Sequence, residues 1–276
     1  MQPSRKVSFD FASFWDACVQ RDKNNRLDAE KDLAFWEQFA PQYDSRAGAA
    51  GSCEHTLKRL NTLLHPDDDL LDIGAGTGRF ALPLAHYVRR VTALDHSPAM
   101  LSVLQHKMRS SETHNIDLVC DAWETANVAP HDVVLAAWSL YRQPSLLQAL
   151  HKMVLSTRRL LLIVAEVKSY PPHRTASEML WPQRYQQEID VPMHLCFLGA
   201  LWQLGIHADM NIVHETRLFQ AATRQQLAAL LMPDTASQED MDQLAREMGT
   251  HIKKQKGGYC YNCTEPVALI SWVANE

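Results

Sequence analysis

The chain has 276 residues, 46% hydrophobic and 21% charged, a composition that suits one large α/β domain with added segments. A formal net charge of -5 and a pI near 6.2 argue against non-specific nucleic-acid binding, which needs a basic face. The longest uncharged apolar stretch, 191–206, is short for a membrane span, and six cysteines in a chain this long do not suggest a disulfide scaffold.

The opening residues show no continuous apolar run of the kind a secretory leader carries, so a reducing, cytoplasmic setting is expected. Within the first 65 residues, "DAEKDLAFWEQFA" places Leu33, Trp36 and Phe39 at helical spacing, and "HTLKRLNTLL" (55–64) reads as a second amphipathic helix. This segment is too small to form a core alone. It is expected to pack on the main sheet or to cover its active edge as a lid.

From residue 66 the pattern alternates. "LLDIG" reads as a buried strand and "RFALPLAHYV" (79–88) as a helix. "VTALD" (91–95) is a strand, followed by the helix "SPAMLSVLQHKMRS", with Ser97 as its cap and Pro98 at its first position. "IDLVC" (116–120), "DVVLAAW" (132–138) and "RRLLLIVAEV" (158–167) are further strands, with a helix in "PSLLQALHKMVL". Uniformly apolar strands separated by helices imply a parallel sheet covered on both faces.

The rhythm then breaks. A polar insertion at about 168–190 precedes an apolar helix near 192–205 and a strand around "MNIVHETRLF". A second insertion at about 221–258 is expected to hold two helices, and "PVALISWV" (266–273) closes the chain as a last strand. The domain organisation read here is therefore an N-terminal helical segment, 1–65, and a main domain, 66–276, with two insertions.

The stretch "LLDIGAGTGRF" (70–80) carries three glycines, Gly74, Gly76 and Gly78. The dinucleotide fingerprint G-x-G-x-x-G would place a glycine where Arg79 stands, and a glycine loop alone does not decide between a pyrophosphate and another ligand. Asp72 sits inside the first strand's end. Asp95 ends the second strand and can accept hydrogen bonds from ribose hydroxyls or cap the next helix. Asp121 follows the third strand, where it could meet an adenine amino group or simply face solvent. Acids at the carboxyl ends of three successive parallel strands outline one crevice.

"LLDIGAGTGRF", "VTALDHSPAML", "LVCDAWE" and "HDVVLAAWSLY" resemble the successive motifs of the class I S-adenosylmethionine-dependent methyltransferases, from about 69 to 165. "FWEQFAPQYDSRA" is similar to the segment before the first strand in small-molecule members. The resemblance implies a Rossmann-like, doubly wound, mostly parallel seven-stranded sheet with an antiparallel last strand. It implies S-adenosylmethionine as cofactor, with Asp72, Gly74, Ala75, Gly76 and Gly78 at its methionine end and Asp95 at the ribose. Asp121, beside Ala122, would take the adenine amino group. His96 and Met100 would border the adenine, Trp138 and Ser139 would face the sulfonium, and Tyr43 would close over the cofactor. Trp138 could equally be core, and Tyr43 structural.

Other signals are weaker. Cys260 and Cys263 form one C-x-x-C near His251, without the second pair that a structural zinc site usually has, so no metal is expected. No base declares itself. Tyr141 is a candidate, beside His173, His194, His214 and His251. The Asn-Pro-Pro-aromatic motif of base-amino methyltransferases and the Pro-Cys of cytosine-5 enzymes are absent. With the acidic charge, this favours a small-molecule acceptor and no nucleic acid. Arg174 and Arg184, near Lys168, are candidates for holding an anionic acceptor. A nicotinamide-dependent oxidoreductase and a non-catalytic S-adenosylmethionine-binding protein are the alternatives.

Overall fold

A computed structural model of the chain describes residues 9–20, 28–46, 53–167, 192–231, 237–247 and 252–274. The elements before the sheet are α1 (Phe11–Gln20), α2 (Ala29–Phe39), α3 (Tyr43–Arg46) and α4 (Glu54–Asn61). Then follow β1 (Asp69–Ile73), α5 (Ala81–Leu84), β2 (Arg90–Asp95), α6 (Pro98–Ser110) and β3 (Ile116–Cys120). Next come β4 (His131–Ala137), α7 (Leu146–Leu155), β5 (Thr157–Glu166) and α8 (Met193–Gln203). The chain closes with β6 (Asp209–Ala221), α9 (Arg224–Leu231), α10 (Gln238–Glu247), β7 (Lys253–Gln255) and β8 (Gly258–Val273).

One sheet runs in the order β3-β2-β1-β4-β5-β8-β6, and the short β7 adds an eighth strand beside β8. Strands β1 to β5 pair in parallel, and β8 pairs antiparallel with both β5 and β6. The sheet is therefore mostly parallel and seven-stranded along its main path. Apolar clusters fill both faces, one under α1, α7 and α8, the other under α4, α5 and α6. That is why the central strands read as apolar without alternation.

Ser97 caps α6, its side chain accepting from Met100 N at 3.3 Å. The helix expected over 79–88 is a single turn. The glycine loop occupies the chain up to Phe80, and the Asn115 amide donates to the carbonyls of Ala85, Val88 and Arg89 (2.8, 3.3 and 3.3 Å), taking up groups that a longer helix would use internally.

The described helices of residues 1–65 pack in different places. Helix α1 belongs to the core: Trp15 is buried, donates to Gln143 O at 3.1 Å and packs 5.2 Å from the Phe197 ring. Gln203 on α8 accepts from Phe11 N at 3.0 Å and Ala12 N at 3.3 Å, and Gly199 leaves room for the Phe11 ring. Helix α4 is capped from a distant strand. Glu215 on β6 is buried, and its carboxylate accepts from Thr56 N and, at 3.3 Å, from His55 N.

β8 begins well before the expected 266, so the C-x-x-C segment lies inside a strand, with Cys260 buried and unbridged. The β6–β8 ladder continues past the end of β5, and α9 and α10 pack on this extension through Leu227, Ala228, Leu244 and Ala245, joined by Ile252 just before β7. Among the described residues no His, Cys, Asp and Glu cluster could hold a metal ion, and no helix is long and apolar enough to cross a membrane. The first insertion, with Lys168, His173, Arg174 and Arg184, lies outside the described residues, as does His251.

Candidate active site

The strand order reverses between β1 and β4, and the carboxyl ends of the strands diverge there, which opens a crevice in sheets of this kind. The loop after β1 folds over it. Gly74 N and Ala75 N both donate to Leu94 O, at 2.8 and 3.0 Å, and this tethers the loop to the end of β2. All three glycines have positive φ, but for different purposes. A Cβ on Gly74 would lie 2.4 Å from the Ser139 Cβ, so this glycine lets the loop approach the end of β4. A Cβ on Gly76 would meet only the Met100 methyl, at 3.9 Å, because this residue borders the cavity. A Cβ on Gly78 would lie 2.3 Å from Leu104 Cδ1, so Gly78 serves the packing of the loop on α6.

Asp95 is the loop's second anchor. One carboxylate oxygen accepts from Gly76 N and the other from Ser97 N, each at 2.8 Å. Burial, its largest influence, raises the Asp95 pKa, while the Ser97 and Gly76 N–H groups and then His96 oppose this. Asp72 is more extreme. Burial first, and the charge of Asp95 second, push its carboxyl up to about 7. Its Oδ2 is buried without a hydrogen-bond partner, and so is Ser139 Oγ across the loop. Two unpartnered buried oxygens bordering one cavity mark a place for a donor group.

The cavity measures about 690 Å³ including its open mouth. It brings together Tyr43, Asp72, Gly74, Ala75, Gly76, Asp95, His96, Met100, Trp138, Ser139 and Tyr141 from the sequence reading. Trp138 has φ +50, a conformation that costs a bulky residue roughly 1 kcal/mol or more. It is held by its N–H to Val164 O at 2.9 Å and by the Phe80 ring 5.5 Å away.

Gly78, Asp121 and Ala122 are not among the lining residues. Asp121 Oδ1 is turned into its own loop, accepting from Ala122 N at 2.8 Å and Thr125 Oγ1 at 2.7 Å. His194 is buried at the start of α8, outside the cavity lining, and burial lowers its pKa.

The lining also includes Trp36, Arg79, Phe80 and Ala137, which sequence reasoning did not assign. Trp36 arrives on α2. The helix meets the site through a polar contact: buried Asp32 lies 2.7 Å from His96 Nε2, while Leu33 and Phe35 are exposed. Asp44 on α3 accepts from Thr77 Oγ1 at 2.7 Å and pairs with Lys107. The signal for this docking was the acids between the aromatics, which an apolar-face reading passes over.

Residues 70–159 match the family model described as a methyltransferase domain. An uncharacterized protein of Haemophilus influenzae is 28% identical over 179 residues, 64% of each chain. A malonyl-[acyl-carrier protein] O-methyltransferase of Serratia marcescens is 31% identical over 84 residues, 30% of this chain and 32% of that protein. The chain thus spans less than two thirds of the curated relatives it matches. Among solved structures, a putative methyltransferase of Bacillus halodurans superposes with a TM-score of 0.54 at 15% identity, over 79% of this chain and 96% of that one. Residues 70–159 are thus similar to a methyltransferase domain, and the chain shares the fold of that solved structure.

Proposed function

We propose that the protein transfers the methyl group of S-adenosylmethionine to a small-molecule acceptor. The observation that carries this is the pair of unpartnered buried oxygens, Asp72 Oδ2 and Ser139 Oγ, on the cavity at the sheet's reversal point. They suit the ammonium of an amino-acid end, and a dinucleotide's pyrophosphate would bring negative charge to the same acids. In this reading Asp95 accepts from the ribose while holding Gly76, and His96 and Met100 border the adenine. Asp121 contributes only its second carboxylate oxygen, toward the adenine amino group.

The cofactor supplies a methyl group already activated by positive sulfur, so the protein's contribution is chiefly alignment and exclusion of water. Trp138, fixed in a strained conformation, is assigned to shape the approach to that methyl group, and Tyr141 to orient or deprotonate the acceptor. Residues 28–46 are assigned as a cover, since Trp36 and Tyr43 border the cavity. A covered cavity of this size in an acidic chain favours a small acceptor over nucleic acid.

The test has two parts. Calorimetry is expected to give S-adenosylhomocysteine a Kd in the micromolar range and NAD no measurable affinity. Incubation with methyl-labelled S-adenosylmethionine and a whole-cell extract is expected to move label into the low-molecular-weight fraction. Label arriving only in protein or nucleic acid overturns the small-acceptor reading, and tight NAD binding without S-adenosylhomocysteine binding overturns the cofactor reading.

A further inference from the structure

Strand β6 stands at one end of the sheet, and its 13 residues make a long edge, about 40 Å at the rise of an extended chain. Its inner side pairs with β8 residue by residue from Asp209 to Ala221, without a bulge. Among the described residues nothing pairs with the backbone of its outer side, so every second residue presents an N–H and a C=O outward. Sheets commonly blunt such an edge by keeping it short, by a bulge, or with proline or lysine. The opposite edge is blunted in this way: β3 has 5 residues, and its Asp117 pairs with Arg90. β6, "DMNIVHETRLFQA", carries no proline, no lysine and no bulge.

The side chains along this edge are symmetric about its middle. Even-numbered residues share one face of the strand. On that face Ile212 and Leu218 are exposed, at 43% and 45%, and they stand equally far on either side of Glu215. Glu215 is also the midpoint of β6. A two-fold axis there lays one β6 antiparallel on another over its whole length. The same axis sets Ile212 of one copy opposite Leu218 of the other, twice. A pairing shifted by two residues breaks both matches. The other face is occupied within each copy. The Glu215 carboxylate accepts from Thr56 N and His55 N of α4, with His55 Nδ1 at 3.2 Å, so each of the two acids that meet at the axis is already held by donors of its own chain.

We infer that β6 is the interface for a second copy of this chain, the two edges joining antiparallel into one continuous sheet about a two-fold axis at Glu215. Such a pairing is isologous and closed, so it stops at a dimer. The outward backbone groups supply hydrogen bonds along the edge, and the Ile212–Leu218 stripe fixes the register. β6 runs in the same direction as β5, since both are antiparallel to β8. The two crevices therefore open toward opposite ends of the joined sheet, and each copy keeps its own site. Dimerisation in this form does not depend on the reaction proposed above.

Sedimentation of the full chain over roughly 1–100 μM reads the association. Wild type is expected to form a dimer of the 31.3 kDa chain. Ile212→Lys and Leu218→Lys should each raise the dimer dissociation constant by roughly 100-fold, because the axis places the new charge in the stripe twice. Circular dichroism confirms that each variant is folded. Cysteines read the register. Ile212→Cys and Leu218→Cys are prepared as separate proteins and oxidised with diamide, alone and mixed. Within one chain the two positions lie about 20 Å apart, beyond the reach of a disulfide. The mixture is expected to yield a disulfide-linked dimer that neither variant alone, nor wild type, yields. A wild type that stays monomeric at the highest concentration overturns the inference and leaves the edge to a strand of another protein. A dimer indifferent to both lysines uses another face and overturns it too. Cross-linking by either cysteine variant alone would mean a different register, and the axis at Glu215 falls.

Discussion

Asp72→Asn is expected to make the ligand-free protein more stable and to impair it as a binder. The Asp72 carboxyl is pushed from an ordinary 3.8 to about 7, by burial first and the Asp95 charge second. Each tenfold change in proton affinity corresponds to ~1.4 kcal/mol, so keeping Asp72 ionised costs the fold up to roughly 4 kcal/mol at a pH well above 7. The folded protein holds this proton more tightly than the unfolded chain does. The associated stability is therefore fully present below about pH 3.8 and is lost as pH rises through about 7. Asparagine removes that loss. Its oxygen can still accept from the Ala81 N–H that Asp72 uses, but its amide leaves a donor facing the cavity, so recovery is partial, about 1–3 kcal/mol at pH 8. At about 2–4 °C per kcal/mol for a domain of this size, the melting temperature should rise by several degrees. At pH 5 the folded Asp72 is protonated and the wild type has regained about 3 kcal/mol of that loss, so the variant's advantage should vanish or reverse. Saturating S-adenosylhomocysteine should raise the wild-type midpoint and barely move the variant's. Melting curves at both pH values, with and without the ligand, read all of this. A variant less stable at pH 8, or one offset equally at both pH values, would refute the burial argument. A variant retaining the full ligand shift would refute the assignment of Asp72 to the ammonium.

Three other substitutions separate binding from folding. Asp95→Ala should weaken S-adenosylhomocysteine binding by roughly 1.5–3 kcal/mol in calorimetry, because the ribose acceptor and the tether on Gly76 go together; unchanged affinity in a folded variant removes Asp95 from the site. Gly78→Ala should destabilise by about 1–3 kcal/mol in chemical denaturation, given its φ of +84 and the Leu104 methyl at 2.3 Å, with little change in affinity while the protein stays folded. Glu215→Ala should cost about 1–3 kcal/mol by uncapping α4, again without touching ligand affinity, and a wild-type denaturation midpoint would show that the cap is dispensable.

The strands and the glycine loop were legible because their signals are local. Apolar runs bounded by glycine and acid gave β1 to β5 within a residue or so, and Ser97-Pro98 gave the start of α6. What a residue does across the fold was harder to read. Gly74, Gly76 and Gly78 look alike in sequence, yet one admits β4, one borders the cavity and one admits Leu104. Asp121 reads as a crevice acid by position, but one of its oxygens serves its own turn, a short-range competition that spacing does not display. Helix α1 carries no strong periodic signal, and its place is set by Gly199 and Gln203, which lie almost 200 residues away. Arg79 was visible only as a departure from a glycine pattern, because its two aromatic neighbours come from distant parts of the chain.

The proposed cover shows how such long-range polar contacts can bear on function. A segment held over a cavity by apolar burial would be costly to lift, at about 25 cal/mol for each Å² exposed. Residues 28–46 leave Leu33 and Phe35 in solvent, bury Ala40, and add polar contacts to the main domain through Asp32 with His96, and Asp44 with Thr77 and Lys107. The Asp44–Lys107 pair is a third to nearly a half exposed, and such pairs contribute about 0–1 kcal/mol, so this end can part cheaply to let ligand in and product out. Asp32 is different: it is buried beside His96, and parting a buried pair costs more than parting an exposed one. Opening should therefore begin at the Tyr43 end and hinge about α2. Because Thr77 lies within the glycine loop and His96 adjoins Asp95, any ligand that steadies these residues also steadies the anchors of the cover. Closure would then follow from occupancy of the cofactor site, placing Trp36 and Tyr43 over the cavity once that site is filled.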